Sequence, residues 1–593
     1  MQTWSQLTED IETSSSKMSK AIQMKNRKEL DNWGDFNFKI ATRYVYKLQK
    51  RIYRATKEER WETVRKLQKT IINSFHAKML SVRKVAQINM GKKTAGIDHK
   101  SKLDSVQKLT MAKNLKLSNK KSQPVRRVWI PKPGKKEKRS LGIPTMEERA
   151  KQALVKLALK PEWEALFEDT SYGFRPGRGT HDAMDRIYNK LFKSPAWILD
   201  ADIKGCFDNI NHQKLLEKTG QKGIIRQQLK SWLKAGTIDL SECSTDGRYQ
   251  PTTKGTPQGG IVSPLLANIA LHGLEARIKQ FACTVKDWTG KGKMGYRDKM
   301  RSTGFIRYAD DFIVTHPTKE ALQRVIPIIE QFLNEIGLIL HPQKTKIVSS
   351  WQGFDFLGFN IRHFHTGKYR SISKNKQKTG YTLLIRPSKE SESRHYAVIR
   401  DTIRANKSSS QEELIYKLNP KIRGWCNYFR HCSARDSFHR LNHLTFKMLW
   451  KWAKGRHKNK GKHWIAKKYW HLKPKWKFET EYNLLIEHSE MKCGIRRTKL
   501  KDGVSIFDGN LAYWAQRTNS LEYIKESERR LLKIQKGKCN WCNHHFLPNQ
   551  KWERDHIIPR KEGGKNSYSN YQLLHEYCHR EKTRIDLARI NGK

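Results

Sequence analysis

The chain has 593 residues, more than one hydrophobic core comfortably serves, so several domains are expected. Lysine and arginine total 118 against 57 aspartates and glutamates, a formal charge of +61, and an excess that unbalanced implies a polyanionic partner. The 37% hydrophobic content with 18 tryptophans excludes a disordered basic tail, and the absence of an apolar run of roughly 20 residues excludes a membrane span. Nine scattered cysteines, clustered only near the C-terminus, suit a reducing compartment and one metal site rather than a disulfide framework.

Residues 1–35 are polar and expected to be flexible. They carry no apolar signal core, and Glu9, Asp10 and Glu12 argue against a transit peptide. From Phe38 to Val85 apolar residues recur at helical spacing, as in Val45, Leu48, Ile52 and then Val64, Leu67, Ile71. A basic strand and turn follows, running from Arg126 through Trp129, Lys132 and Gly134 to Lys136. The next helix places Ala150, Ala153, Leu154, Leu157 and Ala158 on one face.

Trp197-Ile198-Leu199-Asp200-Ala201-Asp202-Ile203 reads as an apolar strand carrying acids, with Phe207 and Asp208 just beyond it. An acid at a strand end also serves as a turn cap, so Asp202 gains meaning from its company. Gly255-Thr256-Pro257-Gln258-Gly259-Gly260 predicts an irregular backbone able to approach a substrate closely. In Phe305-Ile306-Arg307-Tyr308-Ala309-Asp310-Asp311-Phe312-Ile313-Val314, apolar flanks around a polar centre predict a hairpin with two carboxylates at its turn. Asp202, Asp310 and Asp311 together form a ligand set suited to two Mg²⁺ ions, which leave their other positions to water and substrate phosphate.

Further on stands an apolar and basic segment, Leu418-Asn419-Pro420-Lys421-Ile422-Arg423-Gly424-Trp425. Residues 447–477 hold twelve lysines or arginines and no acid, interleaved with Trp450, Trp452, Trp464, Tyr469, Trp470 and Trp476. Such aromatic residues stack on bases while the cations follow phosphates, and about half of these rings are expected in a core instead. Lys467 and Lys468 are candidate RNA contacts. Near the end, Cys539-Asn540-Trp541-Cys542 and His575-Glu576-Tyr577-Cys578 are two pairs of the x₂ type, which read as one tetrahedral Zn²⁺ site of Cys₃His composition. Between and beside them stand Asp555-His556, Gly563-Gly564, Asn570 and His579.

Taken in order, the palm segments resemble the reverse transcriptases encoded by group II introns. The resemblance extends to Thr94-Ala95-Gly96-Ile97-Asp98, Arg139-Ser140-Leu141-Gly142-Ile143-Pro144, Ser171-Tyr172-Gly173-Phe174-Arg175-Pro176-Gly177-Arg178, Lys344-Thr345-Lys346 and Phe356-Leu357-Gly358-Phe359. The Leu418 segment resembles the opening of the family's splicing domain, and the C-terminal module looks like an HNH nuclease, with His575 where many relatives carry Cys. The implied fold is multidomain α+β. A right-hand polymerase of fingers, palm and thumb passes through a helical maturase region into a zinc-containing ββα-metal nuclease.

The expected boundaries are an N-terminal extension and fingers over 36–194, a palm over 195–365 and a thumb and maturase domain over 366–477. A DNA-binding stretch over 478–530 and the nuclease over 531–593 complete the chain. The resemblance implies Phe207 as a sugar-selecting ring. Arg139, Gln258 and, more weakly, Lys132 are candidates for the incoming nucleotide and template. In the nuclease, His556 is the candidate base, Asp555 and His579 the ligands of one divalent ion, and Asn570 the residue orienting the base.

The resemblance further implies binding of an intron RNA, help with its splicing, nicking of double-stranded target DNA, and copying of the RNA from the new 3′ end with dNTPs. The alternatives are a splicing maturase with little polymerase activity and a reverse transcriptase of another lineage. A bacterial cytoplasm or nucleoid is the expected location, with an organelle as the alternative. Homodimerisation is left open.

Overall fold

The computed structural model describes residues 32–131, 138–239, 249–288, 295–365, 380–471, 476–494, 498–511, 513–514, 517, 526–546 and 552–591. Residues 1–31 of the expected flexible terminus, Lys132, and parts of the 478–530 stretch lie outside the described residues.

The helical periodicity of the N-terminal extension becomes three helices, Phe38–Lys57, Trp61–Asn73 and Phe75–Arg83. Asn37 and Ser74 cap the first and third by accepting from the backbone N–H groups of Ile40 and Ala77. Their apolar stripes pack on the long helix Met146–Leu166, burying Val45, Leu48, Ile52, Val64, Leu67 and Ile71 with Ala150, Leu154 and Ala158. Glu162, buried in this seam, accepts from Gln68 at 2.6 Å and from Arg65 and Gln221 at 3.0 Å each, so the carboxylate is satisfied. Order starts earlier than composition suggests. Trp33–Asp35 is a short helical turn, and the Trp33 ring is buried against Phe38 with centroids 5.3 Å apart. The end of the stretch expected to be flexible, Trp33–Asp35, is therefore folded.

Eight strands frame the candidate polymerase site: β1 (Val125–Pro131), β2 (Lys138–Ile143), β3 (Trp197–Ala201), β4 (Thr237–Asp239), β5 (Tyr249–Gln250), β6 (Gly304–Tyr308), β7 (Asp311–His316) and β8 (Lys346–Ser349). They form two sheets, in the orders β2-β1-β4-β5 and β6-β7-β3-β8. The first sheet thus takes β4 and β5 from within the range read as palm, because strand pairing crosses boundaries that a linear reading draws. In the second sheet Ile198, Leu199, Phe312, Ile313 and Val314 are all buried, as their continuous apolar runs predict. Helix Lys319–Glu335 covers β3 and β7 from one side.

A second core holds the thumb region. Strands Phe354–Phe356, Phe359–His365 and Tyr381–Pro387 lead into helices Lys389–Ala405, Gln411–Phe429, Arg435–Arg456 and Lys462–Tyr469. Trp452, Tyr469 and Trp470 are buried there, Trp450 is half-buried, and Trp464 and Trp476 stay exposed, which is the expected division.

The stretch after residue 478, where sequence offered no chemistry beyond charge, folds back over the N-terminal half. Ile506, Phe507, Tyr513 and Trp514 pack with Tyr53 and Ala165, and the Tyr46 hydroxyl donates to the Ile506 carbonyl at 2.7 Å. Arg517 forms a buried ion pair with Asp182 at 2.8 Å.

The C-terminal module pairs strands Trp552–His556 and Tyr571–His575 and closes with helix Glu576–Asn591. Helix Glu526–Ile534 precedes them and crosses the expected boundary at 531, since Leu531 and Leu532 find their core partners in Phe546, Leu573 and Leu574. The module rests on the N-terminal extension, where Arg43 donates to the Cys542 carbonyl at 2.9 Å and Arg584 pairs with Asp35 at 3.3 Å. Among the described residues, no helix is long and apolar enough to cross a membrane.

Candidate active sites

Tyr308 and Asp311 pair across the β6–β7 turn, leaving Ala309 and Asp310 as its two loop residues. Ala309 is left-handed, at φ +60°, an unusual conformation for a residue with a Cβ. The turn is held from behind by Arg307, which is 1% exposed and donates to the Ala309 carbonyl at 3.1 Å and to Asn268 Oδ1 at 3.0 Å. Asn268 in turn donates to the Gly173 carbonyl at 2.8 Å. Gly173 lies hard against the turn: a Cβ there would stand 2.3 Å from the Ala309 nitrogen. Burial lowers the Arg307 guanidinium to about 10, with Glu168 opposing the shift.

Asp202 follows the end of β3, and its carbonyl accepts from the His341 N–H at 2.8 Å. Its carboxylate forms an ion pair with Lys344. Burial pushes Asp311 up to about 7, and the Asp310 and Asp202 charges push the same way. Burial and Asp202 also raise Asp310, while Arg139 and Lys344 oppose. The three acids therefore share one corner, with Arg139 and Lys344 in electrostatic reach. An all-oxygen donor set whose charges repel one another fits hard divalent cations.

The Pro257-Gln258 turn ties this corner to β2. The Gly142 N–H donates to the Gln258 carbonyl at 2.9 Å, and Gln258 Nε2 lies 3.4 Å from both Asp208 carboxylate oxygens. Thr256 N–H donates to the Phe207 carbonyl at 2.6 Å, so the Phe207 backbone is fixed where its ring stands edge-on to Phe174. Four residues here were given no role from sequence: Arg307, Asn268, Phe174 and Lys344. An arginine inside the apolar run Phe305-Ile306-Arg307 was the available signal, because a charge buried there demands partners.

At the C-terminus, the ligand atoms of Cys539, Cys542, His575 and Cys578 all lie within 4.8 Å of one another, and all four residues are buried. Cys542 Sγ is 3.3 Å from His575 Nδ1. The thiols share protons: hydrogen bonds with Cys542 and Cys578 pull Cys539 down, and hydrogen bonds with Cys539 and Cys542 push Cys578 up. Three sulfurs and one imidazole nitrogen at this closeness fit a closed Zn²⁺ site.

Beside this cluster, His579 Nδ1 is 2.7 Å from Glu553 and its Nε2 is 3.6 Å from Asp555 Oδ1, while Lys582 stands 3.2 Å from Asp555 Oδ2. His556 Nε2 bonds Asn566 Oδ1 at 2.9 Å. The expected role of Asn570 is corrected here. Its side-chain oxygen accepts from the Ile558 N–H at 2.8 Å, and its amide donates to the Ile558 and Lys565 carbonyls at 3.1 and 3.0 Å. Asn570 pins the loop, and Asn566 meets the histidine. Gly564 permits this closure, since a Cβ on it would fall 1.9 Å from the Ile558 carbonyl oxygen.

Lys467 and Lys468 lie on the exposed face of helix Lys462–Tyr469, with the Lys468 ammonium 4.9 Å from the exposed Trp464 ring. Ile465, Ala466 and Tyr469 bury the opposite face.

Comparison with known families follows the same layout. A model of the N-terminal domain of reverse transcriptase matches residues 33–115, and one of reverse transcriptase (RNA-dependent DNA polymerase) matches 130–361. The group II intron maturase-specific domain matches 393–470 and HNH endonuclease matches 539–584. Group II intron-encoded protein LtrA of Lactococcus lactis subsp. cremoris is 31% identical over 395 residues, which cover 55% of this chain and 63% of that relative's length. Protein YkfC of Escherichia coli (strain K12) is 30% identical over 274 residues, covering 42% of this chain and 70% of YkfC. An apo telomerase from Candida tropicalis shares 18% identity at a TM-score of 0.32, covering 40% of this chain and 53% of its own, a likeness too slight to argue from. With reverse transcriptase, maturase-specific and HNH domains in one order on one chain, the protein belongs to the family of group II intron-encoded proteins.

Proposed function

We propose that the protein is an RNA-directed DNA polymerase, a splicing maturase and a DNA endonuclease that acts on its intron RNA, dNTPs and double-stranded target DNA. The observation that carries this reading is the convergence of Asp202, Asp310 and Asp311, from two strands, on a corner faced by Arg139. Two Mg²⁺ ions held by these acids would activate the primer 3′ oxygen and stabilise the departing pyrophosphate. Arg139 meets the incoming triphosphate bidentately. Phe207 walls off the position of a 2′ hydroxyl, and Gln258 touches the nascent pair. Lys132 keeps its weaker nucleotide role on sequence grounds alone.

In the nuclease, the Asn566 side-chain oxygen accepts from His556 Nε2, which selects the tautomer with its lone pair on Nδ1. That nitrogen takes a proton from the attacking water. Asp555 and His579 would hold one divalent ion, which would supply positive charge to the scissile phosphate, and Asn570 keeps the intervening loop closed. The four zinc ligands supply folding energy to a module with a small core. The nicked strand then offers the 3′ hydroxyl from which the palm copies the RNA, while Lys467 and Lys468 grip that RNA through its phosphates.

The decisive experiment is the Asp310→Ala/Asp311→Ala double variant. It should abolish primer extension on an annealed RNA template and leave intron RNA binding intact. Persisting extension would overturn the metal assignment.

A further inference from the structure

Phe174 combines three properties that rarely meet in one residue. It is a bulky residue at φ +60°, it is 50% exposed, and it lies beside the catalytic turn. A left-handed backbone under a large side chain is an outlier that persists only where the surroundings enforce it. Here they do so from both sides. Before it, the Tyr172 N–H donates to the Arg307 carbonyl at 2.9 Å, and the Gly173 carbonyl is held by Asn268. After it, Arg175 is locked in a buried ion pair with Glu164 at 3.0 Å and donates to the Ser171 carbonyl at 2.9 Å. The backbone of Phe174 cannot relax without breaking one of these anchors.

The ring so presented meets another aromatic ring. Phe174 and Phe207 stand edge to face, with centroids 6.2 Å apart and planes at 79°. This is a favoured geometry for an aromatic pair, with the positive edge of one ring against the negative face of the other. Phe207 sits on the four-residue helix Cys206–Asn209, and its ring is only partly packed against the core. An aromatic wall excludes a 2′ hydroxyl only while it cannot swing aside; the core holds one part of the Phe207 ring, and Phe174 meets it edge-on.

We propose that Phe174 is a positioning residue that buttresses Phe207 and thereby sharpens selection of deoxynucleotides over ribonucleotides. This rests on the reading of Phe207 as the sugar-selecting wall. Gly173 and Arg175 fix the backbone, Phe174 carries that rigidity across the cleft, and Phe207 expresses it as discrimination.

The test is a double-variant cycle on single-nucleotide incorporation of dNTP and rNTP by the full chain. Phe174→Gly removes the ring and suits the left-handed backbone, so folding is preserved; Phe174→Tyr keeps the ring. Phe174→Gly should lower dNTP-over-rNTP discrimination about three- to tenfold, the range of an edge-to-face aromatic coupling. Phe174→Tyr should restore it. Phe207→Ala should lower discrimination further, and adding Phe174→Gly to it should change nothing more, because the two act as one unit. Full additivity of the two effects would overturn the buttress, as would a Phe174→Gly variant altered only in KM for template and primer. Unchanged discrimination in Phe207→Ala would instead sink the reading of Phe207 itself, and the buttress with it.

Discussion

In the palm, Asp202 and the Asp310–Asp311 pair are distant in sequence, and a large buried sheet with a guanidinium behind it brings them together. In the nuclease module, Asp555, His556 and His579 lie on a single strand–helix unit whose own core is small, and the Cys539, Cys542, His575 and Cys578 cluster takes over the holding. Both centres gather acids, yet their rigidity has different sources. Hydrophobic burial and one buried cation suffice where many apolar residues converge. A small domain lacks that reserve and depends on metal crosslinking.

The sharpest test of this contrast is removal of a zinc ligand. Cys542→Ser should release zinc and locally unfold residues 526–591, forfeiting roughly 10 kcal/mol of metal-derived folding energy. DNA nicking should vanish, while reverse transcription from a supplied primer persists. His556→Ala should also lose nicking but retain zinc and fold, as metal analysis and proteolysis would report. Zinc loss in His556→Ala would mean the ligand sets have been exchanged.

Next in size is the palm's own support. Arg307→Met leaves the Ala309 carbonyl and Asn268 Oδ1 without their donor in a dry site, at a cost of about 2–4 kcal/mol. The melting temperature should fall, and kcat should fall more than the KM for dNTP changes, since the turn rather than the nucleotide site is disturbed. A variant with normal kcat would show that Gly173 packing alone positions the turn.

Proton competition gives a gentler probe. Asp311 is raised to about 7, so the folded protein binds this proton more tightly than the unfolded chain does. Its contribution therefore favours the metal-free fold below the ordinary carboxylate pKa and fades as pH rises through about 7. Mg²⁺ needs the deprotonated form, so the half-saturating Mg²⁺ concentration for polymerisation should rise between pH 8 and pH 6, by up to about tenfold per pH unit. A flat Mg²⁺ requirement would show that Asp311 does not titrate in this window.

The smallest expected effect concerns the exposed lysines. Lys467→Gln with Lys468→Gln should weaken intron RNA binding modestly and reduce the salt slope by about 0.7 for each phosphate no longer neutralised. Extension on a short annealed template should barely change. Equal weakening in both assays would make this helix a general nucleic-acid clamp.

Much of the molecule could be read from sequence because its signals are local. The x₂ cysteine and histidine pairs, the acids flanked by β-formers and the helical stripes of residues 38–85 each state their chemistry within a few residues. Helix and strand periods, turn residues and metal-ligand spacing are properties of neighbouring positions, and the sequence alone determines them. Other features waited for the tertiary structure. Trp33 is ordered because Phe38 and the following helices cover it, and β4 joins β1 only through the folded chain. Asn570 is turned from the histidine to the loop by the backbone groups of Ile558 and Lys565, while Asn566 takes its place. The Arg307–Asn268–Gly173 chain and the Phe174–Phe207 pair join distant segments, and no local pattern announces them. Hydrogen bonds and ring contacts of this kind are decided by which surfaces the core brings together, and that is settled only when the whole chain packs.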